Sequence, residues 1–176
     1  MGILIRHENQ DINVAALTFL ENLSFHFEFG REYVLHDTYT LDIILESDLK
    51  ALSSNLPMMA QTSMLLKNFS SVKKFPPSKI EPTLRACIAL LDVQEPSVVK
   101  NAIAALAGYV ERGELSPHIT NRLGVVKKYC YIIHANRDGT GEVALDALLS
   151  LLFKTNMEFD MEPIVMKSLA RGLQFC

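Results

Sequence analysis

Few residues of this chain have the type and spacing that chemistry requires. The stretch His134-Ala-Asn-Arg-Asp-Gly-Thr-Gly-Glu-Val-Ala-Leu145 has Asn136, Asp138 and Gly139 at the third, fifth and sixth places of a calcium-type loop. A hard cation also needs a carboxylate at the first place and a bidentate Glu at the twelfth, where His134 and Leu145 stand. The stretch therefore reads as a turn rich in Gly and Asp. His7-Glu8 lacks the second His of a zinc-protease helix, and neither a Gly-x-Ser-x-Gly elbow nor a Gly-rich phosphate loop is present. Cys87, Cys130 and Cys176 form an odd set without CxxC spacing, which signals neither a disulfide framework nor a zinc site. Cys87 and Cys130 fall in apolar helical stretches, where a thiol packs as a small core side chain. Catalytic residues, metal and cofactor are thus all expected to be absent. The amides of Asn22 and Asn68 recur 46 residues apart, and an amide can both donate and accept a hydrogen bond without imposing charge. Asn22-Leu-Ser and Asn68-Phe-Ser also spell glycosylation sequons, but they recur because a helix recurs, and no secretory signal supports them.

The elements that would position those amides follow from composition and periodicity. The 176 residues are 49% apolar and 21% charged, with eight Gly and seven Pro, a balance expected of one cooperative globular unit. A net charge of −3 supplies no positive field for phosphates, and the pairs Lys73-Lys74 and Lys127-Lys128 stand apart, so nucleic acid is not an expected partner. No apolar run approaches the roughly 18 residues of a membrane span. An intracellular protein, cytoplasmic or nuclear, is the expectation.

Laid against itself, the chain repeats. Ala16-Leu-Thr-Phe-Leu-Glu-Asn-Leu-Ser24 aligns without gaps on Thr62–Ser70, on Ala102–Val110 and on Ala144–Leu152. One column then reads Leu20, Leu66, Leu106, Leu148, and another reads Leu23, Phe69, Tyr109, Leu151. Successive leucines are 46, 40 and 42 residues apart, within the roughly 40 to 47 of armadillo and HEAT units. The long link Glu46–Pro57 accounts for the first interval. Asp11, Ser97 and Thr140 are the expected helix N-caps. Between copies lie short segments, 30–35, 76–81, 116–123 and 157–163, each leading to an apolar helix: 39–45, 82–91, 123–133 and 164–175. A short helix and two longer ones per unit are predicted, with the last and longest near 11–25, 57–71, 97–111 and 141–154.

The pattern Ala-x-x-x-Leu-x-Asn-Leu-Ser at Ala16–Ser24 resembles the close of an armadillo repeat. Thr62–Ser70 keeps its Leu and Asn, whereas Gly108 and Ser150 replace the Asn in later copies. His36-Asp37 and Ile80-Glu81 stand where armadillo units commonly carry Gly, a departure that keeps HEAT geometry in view. The resemblance covers nearly all of residues 1–176 as a single domain. It implies an all-α, right-handed superhelix of about four repeats, read as a segment of a longer solenoid because neither end carries a polar capping face.

Such a resemblance also implies a function. Third helices of armadillo proteins line a concave groove where the Asn of each unit bonds an extended peptide. Carried over by position, that role falls on Asn22 and Asn68, flanked one turn earlier by Thr18 and Met64. Ala104, Gly108, Asp146 and Ser150 hold the matching sites of later copies. The alternative for both Asn residues is a satisfied amide tying adjacent helices together. Importin-like members carry Trp where Thr18, Met64, Ala104 and Asp146 stand, and this chain has no Trp, so a different ligand class is expected. The expected function is a non-enzymatic scaffold or adaptor that binds a protein or peptide in the third-helix groove or at an end face, alone or within a larger complex. Its rival is a regulatory subunit or small helical enzyme. Phe25, His26, Phe27 and Phe29 form an aromatic cluster, expected as a buried staple between repeats, with an exposed anchor for a partner helix as the alternative.

Overall fold

A computed structural model describes residues 2–46, 55–72, 75–114, 119–120, 123–155 and 163–172. Among them every regular element is a helix. In chain order these are α1 (Gly2–Ile5), α2 (Gln10–His26), α3 (Glu28–His36), α4 (Thr38–Glu46), α5 (Leu56–Phe69), α6 (Pro77–Leu90), α7 (Pro96–Glu111), α8 (Val125–Ala135), α9 (Thr140–Thr155) and α10 (Pro163–Gly172). The helices α2, α5, α7 and α9 stack in that order, each on the next, and form one layer. They occupy the four segments that the leucine register assigns to third helices. Behind them α1 packs on α4, α4 on α6 and α8 on α10.

The stack exists because none of these helices can cover its own apolar stripe. Leu20, Leu66, Leu106 and Leu148 are 2%, 1%, 0% and 0% exposed, so the four register-equivalent leucines are equivalently interior. In the second column Phe69, Tyr109 and Leu151 are fully buried, and Leu23 is partly buried against the same core. Cys87 and Cys130 are buried free thiols; Cys176 lies outside the described residues. No described helix is long and apolar enough to cross a membrane, and the described residues bring no three potential metal ligands together.

Four local expectations are corrected. The segments 76–81 and 82–91 are not two helices but the single α6, which runs through Pro82. Both Pro82 and Ser78, whose carbonyl the missing amide would have met, are exposed, so water can satisfy that carbonyl and the break costs little packing. The N-caps also shift. Asn9, not Asp11, caps α2, its side chain accepting from the Asp11 amide at 2.8 Å; Asp11 sits in the first turn, where a carboxylate suits the helix dipole. At α7 the helix starts on Pro96, whose fixed φ suits the first position, and Ser97 donates to Glu95 at 3.0 Å instead of capping. Thr140 is the first residue of α9 and donates to the Arg137 carbonyl at 2.7 Å, while Asn136 accepts from the Gly141 amide at 3.2 Å. The links 47–54 and 156–162 and most of 115–122 lie outside the described residues.

Candidate partner-binding surface

The layer of α2, α5, α7 and α9 buries its leucine columns and leaves other register positions open to solvent. Along the open face Met64 is 37% exposed, Asp146 and Asn22 are exposed, and Thr18, Ala104, Gly108 and Ser150 are half-buried. The Thr18 hydroxyl donates to the Val14 carbonyl at 2.8 Å, a bond within its own helix. Glu142 and Asp146, one turn apart on α9, are both exposed.

The Asn column has a geometry of its own. Asn68 lies half-buried, and its amide reaches across to the preceding layer, donating to Ser24 Oγ at 2.9 Å and to the Glu21 carbonyl at 3.4 Å. Ser24 is itself fully buried and donates to the Glu21 carbonyl at 2.8 Å. The next seam repeats this with different letters. A Cβ built on Gly108 would stand 2.6 Å from Ser70 Oγ and 3.0 Å from the Ser70 carbonyl, so α7 approaches α5 closely where Ser70 stands in Ser24's place. Asn22 stands in the first copy of this column. Its amide turns back along α2 to the Thr18 carbonyl at 2.9 Å, on an exposed surface. The two asparagines therefore occupy one register position and two environments. A ligand-bonding role for Asn68 would fall to polar atoms left over from the seam.

Other side chains also cross between repeats. Asn101 donates to Ser63 Oγ at 3.2 Å, and Lys100 to the Asp138 carbonyl at 2.7 Å. The ion pairs Lys79–Asp42, Lys128–Asp92 and Lys154–Glu111 each join one repeat to the next. Arg112 does most. Its guanidinium donates to the carbonyls of Ser70 at 2.5 Å and Val72 at 2.7 Å, pairs with Glu114 at 2.5 Å, and lies 4.6 Å from the centre of the Tyr109 ring. It thereby satisfies carbonyls that the end of α5 leaves without helical partners. Sequence reasoning missed Arg112 because one cation just past a periodic segment looks like any solvated charge.

The aromatic cluster corrects a further expectation. Phe25, Phe27 and Phe29 are not a buried staple; each is more than half exposed, as are Phe19 and Tyr33. The rings of Phe25 and His26 meet edge to face at 5.0 Å, and Phe29 lies 6.4 Å from Tyr33.

A cavity of about 500 Å³ opens between the α6–α7 turn and α8. Val99 and Ile132 are among its apolar lining residues, and Lys127, Lys128, Tyr131 and Arg137 also line it. Burial pushes the Cys87 thiol up to about 12 and holds the Tyr109 and Tyr129 phenols well above their ordinary range. These groups are protonated and sealed, unsuited to nucleophilic or acid–base work.

No family model and no curated sequence matches the chain. Solved structures do. An engineered protein superposes over 97% of this chain and 75% of its own, at 15% identity and a TM-score of 0.64. A designed armadillo repeat protein in complex with the peptide (KR)4 does so over 97% and 78%, at 12% identity and a TM-score of 0.64. The fold is an armadillo-like helical repeat. A second engineered protein agrees, with 97% and 77% coverage, 16% identity and a TM-score of 0.62. In this armadillo-like solenoid, α2, α5, α7 and α9 form the stacked layer, and the seams between them are where Asn68, Gly108 and Arg112 act.

Proposed function

We propose that the chain is a non-enzymatic scaffold that holds an extended segment of a partner protein along the open face of its third-helix layer. The observation that carries this reading is the unbroken α2–α5–α7–α9 stack with Met64 and Asp146 exposed along it. A stacked layer offers a long ligand a regular series of footholds that a single helix pair cannot. Likeness to a designed armadillo repeat protein in complex with (KR)4 supports peptide binding by a repeat scaffold of this kind. Glu142 and Asp146 favour a cationic side chain of the ligand at the α9 end, whereas Met64 favours an apolar one in the middle. Thr18, Asn22 and Ser150 would supply polar contacts at the margins.

A peptide display library panned on the intact chain tests this. Peptides enriched on it should carry Lys or Arg, and Met64→Glu combined with Asp146→Lys should weaken their binding by about tenfold or more. Enriched peptides that bind this double variant as tightly as the unmodified chain would overturn the proposal.

A further inference from the structure

The cavity between the α6–α7 turn and α8 lies between the third and fourth copies, with both walls inside the chain. One wall is the turn after α6 and the start of α7, where Val93, Pro96 and Val99 face it. The other is the side of α8 that carries Lys127 and Lys128 and, one turn on, Tyr131 and Ile132. Arg137, just past the C-terminus of α8, lines the cavity as well. Along α8, apolar side chains thus stand between cations. The lining charge is uneven, because three cations face one carboxylate, Asp92, which pairs with Lys128. Two positive charges are left over in a chain whose net charge is −3. Among the described residues, the Lys127 and Arg137 side chains have no acidic partner. Lys127 and Lys128 also stand near the start of α8, whose first turn has no acidic residue and whose N-cap, Gly124, makes no side-chain hydrogen bond. Cations there oppose the helix dipole, an arrangement that an incoming carboxylate relieves.

We infer that this cavity is a docking site for an acidic extended segment of a partner protein, in which two carboxylates flank an apolar side chain. Charge complementarity carries the argument, and the spacing of the cations sets the ligand's length. At a rise of about 1.5 Å per residue, Lys127 and Ala135 are about 12 Å apart along α8, and Arg137 stands beyond. One carboxylate cannot bridge that span, whereas four residues of extended chain cover about 13 Å. Side chains at alternate positions of an extended chain face the same way, so an acidic, an apolar and a second acidic residue at i, i+2 and i+4 enter together. One carboxylate meets Lys127 and Lys128. The apolar side chain packs between Val93 and Ile132, under the exposed ring of Tyr131. The other carboxylate meets Arg137, whose planar fork can hold both of its oxygens. The cavity's size of about 500 Å³ suits one such side chain and its polar flanks. This site is separate from the open face of the stacked layer, prefers the opposite ligand charge, and stands whether or not that face holds a ligand.

The probe is the peptide Gly-Glu-Ser-Phe-Ser-Glu-Gly carrying an uncharged fluorophore, titrated with the full chain and read by fluorescence anisotropy. Saturable binding is expected. It should weaken about tenfold or more when both Glu of the peptide become Gln, and equally when the chain carries Lys127→Glu with Arg137→Glu. Both of these side chains are exposed, so their substitution leaves folding intact, which the circular dichroism of the variant verifies. Met64→Glu combined with Asp146→Lys should leave binding of this probe unchanged; its loss there would place the probe on the open face and overturn the inference. No saturable binding up to about 1 mM, equal affinity of the Gln peptide, or equal binding to the charge-reversed chain overturns it as well. Hexanoate, one carboxylate on an apolar stem, should not displace the probe; displacement at concentrations as low as the peptide itself requires would make this a site for a small acid and overturn the inference.

Discussion

Asn68 and Asn22 hold the same register position, yet replacing them by alanine should have opposite consequences. Asn68→Ala removes a 2.9 Å bond to a fully buried hydroxyl and a longer one to the Glu21 carbonyl. A half-buried hydrogen bond of this kind contributes about 1–2 kcal/mol. Alanine's better helix propensity returns about 0.6 kcal/mol, leaving a net loss of about 1 kcal/mol. Ser24 keeps its bond to the Glu21 carbonyl at 2.8 Å, which limits the damage. Asn22→Ala removes only an exposed bond along its own helix, so the propensity gain dominates and stability should stay level or rise slightly. Urea unfolding followed by circular dichroism measures both, and roughly 2–4 °C in Tm per kcal/mol is expected for a chain of this length. A double-mutant cycle of Asn68→Ala with Ser24→Ala should return a coupling of about 0.5–1.5 kcal/mol. A neutral Asn68→Ala with no coupling to Ser24 would refute the assignment of Asn68 to the seam.

Two further outcomes follow from the same contacts. Arg112→Ala leaves the Ser70 and Val72 carbonyls without their cation and strips the Tyr109 ring of its cover, so it should cost about 3 kcal/mol in the same urea assay. Arg112→Lys should recover only part, because an ammonium cannot reproduce the planar fork. Stability should also decline at alkaline pH. The Cys87 thiol stands at about 12 when folded against 9.0 when free, and the Tyr109 and Tyr129 phenols are also raised. The unfolded chain therefore loses these protons first, so the contribution is intact below pH 9.0 and drains away as pH climbs toward about 12. Phenolate absorbance should show two of the five tyrosines ionising only as helical circular dichroism is lost.

How far the sequence could be read depended on whether a feature repeats. The leucine column is legible because burial against neighbours imposes the same letter at the same register four times. Helix caps are not legible to the residue, since Asn9 and Asp11 are both good N-cap types and the choice rests on which backbone angle the preceding turn delivers. The helix break expected at Pro82 failed because its solvent-facing position removed the usual cost of an interior proline. The aromatic residues from Phe25 to Phe29 misled because the habit of Phe is burial, and exposure here depends on what lies beside α2 and α3, which no local pattern encodes. Asn22 and Asn68 show the same limit from the other side. Identical letters in identical register do different work, one crossing a seam and one turned back on its own helix.

The most direct measurement is the stability of Leu20→Ala, Leu66→Ala, Leu106→Ala and Leu148→Ala, each alone, by urea unfolding. If the four leucines are equivalent interior residues of one stack, each substitution should cost about 3–5 kcal/mol, the transfer loss plus a cavity that packed helices cannot close. A loss below about 1 kcal/mol at any one of them would mean that its layer is not packed as described, and the repeat stack would fail at that position.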